Sequence, residues 1–116
     1  MKIKLQIFAA FACLLCVGAH GQSEGEQYNQ CWRGGMMHEI VAARFRDLGV
    51  GAADALKELT AIGVEIHKTQ PKFPNFEYEK IVSNVYNYPG MNSKQLNSAY
   101  FTACFNDYIR KKALGQ

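Results

Sequence analysis

Residues 92–112 read Asn-Ser-Lys-Gln-Leu-Asn-Ser-Ala-Tyr-Phe-Thr-Ala-Cys-Phe-Asn-Asp-Tyr-Ile-Arg-Lys-Lys. Leu96, Ala99, Tyr100, Ala103, Cys104 and Tyr108 recur at the spacing of one helical face. Asn92 or Ser93 suits the N-cap, and Gln95 follows Asn92 by three, as in a capping box with Asn in place of Ser or Thr. Arg110, Lys111 and Lys112 fall in the last turn, where cations suit the helix dipole. The stripe puts Cys104 on the face expected to be buried. There it can meet Cys31, 73 positions earlier, at the start of the first helical stretch. Such a pairing pins the first and last helices together.

The composition agrees with a stapled domain. The chain has 116 residues and a formal charge of +3. Its start has the form of a secretory signal over residues 1–21: basic Lys2 and Lys4, an apolar run from Leu5 to Ala19 broken by Gln6, then small residues. Cleavage is expected after Ala19 or Gly21. The run is too short to span a membrane, and the residues before Cys13 and Cys16 fit a lipidation site poorly, so no stable membrane anchor is expected. Cleavage after Gly21 leaves 116 − 21 = 95 residues and a charge of 3 − 2 = +1. A near-neutral chain gives no electrostatic basis for nucleic-acid binding. The two remaining cysteines, Cys31 and Cys104, are most simply read as one disulfide in an exported protein. A domain this small gains much from it, about 4–5 kcal/mol in the chain-entropy model.

Outward from the last helix, Tyr78, Ile81, Val82, Val85 and Tyr86 form the cleanest stripe in the chain, on a helix expected over about 75–88 and ended by Pro89-Gly90. A first helix is expected over about 29–48, capped by Asn29 and stopped by a left-handed Gly49. Its Gly34-Gly35 pair either delays the helix or lets a neighbouring backbone come close. A second helix is expected over about 52–62 with Gly63 as its stop. Residues 63–74 then read as loop, and residues 22–28 as a flexible polar leader. The single helical domain thus covers 29–113, with a frayed tail at 114–116. The fold class is all-α, a small four-helix domain with its first and last helices joined by one disulfide.

Candidate sites are few. Met36, Met37 and His38 have the ligand types that copper takes, but adjacent helical residues diverge by about 100°. His38 lies within the apolar face, so a core or boundary histidine with a backbone partner is the expectation, and no metal or other cofactor is expected. Neither G-x-S-x-G nor H-E-x-x-H occurs, and oxidised cysteines cannot act as nucleophiles, so the chain does not read as an enzyme. The basic clusters Arg44-Phe45-Arg46 and Arg110–Lys112 read as solvated faces and helix ends. Aromatic residues crowd the C-terminal half. Phe101 and Phe105, rotated about 100° from Tyr100 and Cys104, together with Tyr86 and Tyr88, are the candidate interface.

Cys31, Ala-Ala-Arg-x-x-x-Leu-Gly-Val at 42–50, Ala55-Leu56, Ile-Val-x-x-Val-Tyr-x-x-Pro at 81–89 and the closing Cys104 resemble small secreted proteins of proteobacteria that share a helical signature closed by two terminal cysteines. That resemblance implies export and a helical fold, and no activity. Size, export and the single disulfide are also similar to acid-stress periplasmic chaperones of the HdeA type, by analogy of build alone. The resulting expectation is an exported, non-enzymatic binding protein of the bacterial periplasm: a chaperone, inhibitor or immunity-type partner. It would engage another protein or a second copy of itself as a homodimer. The alternative is a small metal or ligand carrier using Met36, Met37 and His38.

Overall fold

The computed structural model describes residues 23–115, so the expected signal over 1–21 lies outside the described residues. These residues form α1 (Ser23–Arg44), a 3-10 turn (Arg46–Leu48), α2 (Ala52–Thr69), α3 (Tyr78–Asn87) and α4 (Ser93–Ala113), with no strand among them. The fold is all-α. A Cys31–Cys104 disulfide joins α1 to α4 with the two Cα atoms 5.6 Å apart. Cys31 is fully buried, but Cys104 is half-buried rather than central to the core.

The core lies at one end of the α1–α4 pair. Met37, Val41 and Phe45 of α1 pack with Ala55, Leu59, Ile62 and Ile66 of α2, Phe73 of the following loop, and Ile81, Val82 and Val85 of α3. Each fully buried side chain of this size contributes about 1.5–3 kcal/mol of hydrophobic transfer. From α4 only Leu96 joins them.

Three segments differ from the sequence expectation, each for a packing reason. The first helix begins at Ser23, so residues 23–28 are its opening turns and not a flexible leader. Its polar start shows no clear stripe, yet α4 runs antiparallel alongside it as far as Lys112, whose Nζ lies 3.6 Å from Glu24. Gly63 lies inside α2, which continues to Thr69, and the loop is 70–77. A Cβ at Gly63 would stand 2.6 Å from the Tyr78 hydroxyl, so this glycine makes room for the start of α3. The third helix begins at Tyr78 and not at Asn75, because the chain first turns Phe73 into the core.

Gly34 and Gly35 remain helical. A Cβ on Gly34 would collide with the Tyr100 ring, and one on Gly35 would lie 2.9 Å from the Asn97 carbonyl oxygen. Close approach of α4 therefore offsets the roughly 1 kcal/mol each glycine costs a helix. Gly49 is left-handed, with φ of 83°, and turns the chain toward α2. The α4 capping box is present: Asn92 Oδ1 accepts from the Gln95 N–H at 2.8 Å, and Gln95 Oε1 accepts from the Asn92 N–H at 2.9 Å.

Arg46 is not part of a solvated basic face. Its side chain is only 13% exposed. Nη1 donates to the Val85 and Tyr88 carbonyls, both at 3.2 Å, and Nη2 donates to the Met91 carbonyl at 2.8 Å. A guanidinium thus caps the backbone where α3 ends, at the negative end of that helix dipole, and shares the Tyr88 carbonyl with the Met91 N–H.

Candidate binding site

The structure presents two distinct surfaces, a polar cleft and an aromatic helix end. The cleft has a volume of about 800 Å³ and opens between α1, the 70–77 loop, α3 and α4. His38 and Tyr100 meet in it as stacked rings, with centroids 4.4 Å apart and planes 25° from parallel. Tyr100 is half-buried and lines the cleft, whereas His38 is only 2% exposed. The imidazole Nδ1–H donates to the Gly34 carbonyl at 2.7 Å, which leaves Nε2 to accept from the Asn84 side-chain amide at 3.1 Å. Both bonds suit the neutral ring. Burial lowers the His38 pKa below its usual range, against a smaller raising effect of the bond to Gly34.

The cleft lining carries more positive than negative charge. Arg33, Lys72 and Lys80 lie on it with one carboxylate, Glu77, which pairs with Lys80 at 3.0 Å. Arg33 Nε is buried and has no hydrogen-bond partner. Phe76, Ile81 and Pro74 supply apolar wall.

The second surface lies at the far end of α1 and α4. Phe101 and Phe105 stack with centroids 5.8 Å apart. Tyr28 meets both edge-on, at 5.2 and 5.9 Å, and Tyr108 adjoins Phe105 at 5.9 Å. Tyr28 is 46% exposed, and Phe101 and Phe105 are half-buried. Among the described residues no α4 side chain beyond Leu96 is fully buried.

Tyr86 and Tyr88 do not join this cluster. The Tyr86 hydroxyl donates to the Val50 carbonyl at 2.6 Å, and the Tyr88 carbonyl receives Arg46. Both therefore sit by the chain that leaves the C-terminal end of α1. From Tyr28 to Arg44, α1 extends about 24 Å. The candidate interface Phe101, Phe105, Tyr86 and Tyr88 is two separate places, and Tyr28 replaces the two tyrosines as the partner of the phenylalanines. Tyr28 is legible in retrospect, because it precedes Cys31 by three and shares its helix face.

Met36, Met37 and His38 do not converge. Met37 is fully buried in the core, the Met36 sulfur faces the Asn97 amide at 3.3 Å, and both His38 ring nitrogens are bonded. Asn97 also donates to Glu39 Oε1 at 2.8 Å, a half-buried link between α1 and α4 that periodicity alone could not reveal. Arg110 and Lys111 pair with Asp107 at 2.6 and 3.1 Å on the exposed side of α4, as a solvated helix end should. Among the described residues no group of three or more His, Cys, Asp or Glu side chains could hold a metal ion, and no helix is long and apolar enough to cross a membrane. The chain matches no family model, no curated protein and no solved structure.

Proposed function

We propose that the protein is an exported, non-enzymatic binding protein of the periplasmic type that docks a helical protein partner on the open end of the α1–α4 pair. The observation that carries this reading is the Tyr28–Phe101–Phe105 cluster: three rings in mutual contact, incompletely covered, on two helices held together by a disulfide within one turn of them. Rigid, partly exposed aromatics are what protein interfaces use as anchors. The disulfide suits an oxidising compartment, as does the signal-like start with Lys2 and Lys4.

A second copy of the chain is the partner favoured by charge. At the open end α1 carries Glu24 and Glu26 with no cation before Arg33, and α4 carries Arg110, Lys111 and Lys112 against Asp107. Lys112 lies 3.6 Å from Glu24 of its own chain, so in a dimer this pair would exchange partners across the interface. A two-fold axis running parallel to the helices would set the acidic helix of each copy beside the basic helix of the other. Sedimentation of the oxidised mature protein with and without Phe105→Ala tests the reading. Association that depends on the Phe105 ring supports it, and association indifferent to that ring contradicts it.

A further inference from the structure

The His38–Tyr100 cleft is separate from the aromatic end and has a chemistry of its own. We propose that it binds a small organic anion, a carboxylate borne on a flat apolar body. The volume of about 800 Å³ lies within the range of small-molecule sites. Glu77 is engaged by Lys80, so Arg33 and Lys72 line the cleft with no carboxylate partner among the described residues. The Arg33 Nε donor is withdrawn from water and bonded to nothing. Leaving that donor unpaired is costly, and a turn of the Arg33 side chain toward the cleft would let its guanidinium take a ligand carboxylate, the acceptor it fits best.

The rest of the lining selects the body of the ligand. His38 is neutral and both its nitrogens are committed to Gly34 and Asn84, so it adds neither a charge nor a free donor. Its contribution is to back the Tyr100 ring. Tyr100 and Phe76 then offer flat apolar surface to an aromatic or similarly planar group. A bare inorganic anion would meet the cations and leave this surface unused.

The test uses the oxidised mature protein, with 2-naphthoate, 2-naphthamide and inorganic phosphate as probes, read by amide chemical shifts and calorimetry. The expected result is submillimolar binding of naphthoate, with shifts centred on Arg33, Gly34, Phe76 and Tyr100. Naphthamide and phosphate should each bind at least tenfold more weakly. Lys72→Gln, on the exposed loop, should weaken naphthoate several-fold, and Arg33→Gln should weaken it at least tenfold. Should Arg33→Gln fail to fold, Lys72→Gln alone decides whether the charge matters. The proposal is overturned if naphthoate leaves these residues unshifted, if the amide binds as well as the acid, if phosphate binds as tightly as naphthoate, or if Lys72→Gln leaves affinity unchanged.

Discussion

Gly35 and Asn97 meet with no room for a methyl group between them: a Cβ on Gly35 would lie 2.9 Å from the Asn97 backbone oxygen. That contact sets how closely α1 and α4 approach. At Gly34 the obstacle is different, the outer atoms of the Tyr100 ring, a side chain and not a backbone. Gly35→Ala should therefore cost about 1–3 kcal/mol, because a backbone has to retreat. Gly34→Ala should cost less, since a side chain and not a backbone has to give; the gain in helix propensity of about 1 kcal/mol is common to both variants. Urea unfolding of the two variants checks the order. Equal losses would mean that the Asn97 backbone does not limit the approach.

His38 predicts a pH dependence with a definite sign. Its native pKa is held below the usual 6.5 by burial. Below about pH 6.5 the unfolded chain binds a proton at this position before the native chain does. Stability should therefore fall as pH drops from about 7 through 6.5, until the native pKa is reached. His38→Gln should remove this part of the slope while the carboxylate contributions remain. Parallel stability profiles for the wild type and the variant between pH 7.5 and 5.5 would refute the assignment.

Much of the fold was legible because helical periodicity and capping are local. The Ile81–Val82–Val85 stripe, the Asn92–Gln95 box and the left-handed Gly49 each follow from a few neighbouring residues. The Cys31–Cys104 pairing was legible through chemistry rather than geometry. What sequence could not give depends on a second element. Gly63 reads as a stop until the Tyr78 hydroxyl is seen above it, and Arg46 reads as solvated until the carbonyls at the end of α3 surround it. The cleft was illegible for the same reason: Arg33 and Lys72 are far apart in sequence and line one cleft only through tertiary packing.

Arg46→Ala should destabilise the fold by about 2–3 kcal/mol, more than an exposed cation ever contributes, because three carbonyls lose a charged donor. Arg46→Lys should recover only part of this, since an ammonium cannot reproduce the fork. Thermal melting of the two variants measures both effects. A loss below about 0.5 kcal/mol for Arg46→Ala would place Arg46 among ordinary surface cations.

Cys31→Ser should cost several kcal/mol, roughly the 4–5 kcal/mol of the closed loop less any residual structure in the unfolded chain. Cys104→Ser loses the same cross-link, but its position is half-buried and the new hydroxyl can reach water, whereas the hydroxyl at position 31 is buried. Cys31→Ser should therefore be the worse of the two. Free-thiol titration of the native protein should find neither cysteine reactive. Two reactive thiols, or unchanged melting of the variants, would contradict the structural role of the bond.

The docking role of the aromatic end is the central claim, and Phe105→Ala tests it most directly, read by thermal melting and by sedimentation and pull-down in parallel. Phe105 is half-buried and packs on Tyr28 and Phe101, so its removal should cost well under the ~3–5 kcal/mol of a core phenylalanine. The account predicts a small change in melting and at least a tenfold weakening of association, whether with a second copy or with a captured partner. A large fall in melting temperature with association unchanged would contradict it, and would make Phe105 part of the packing that holds α1 to α4.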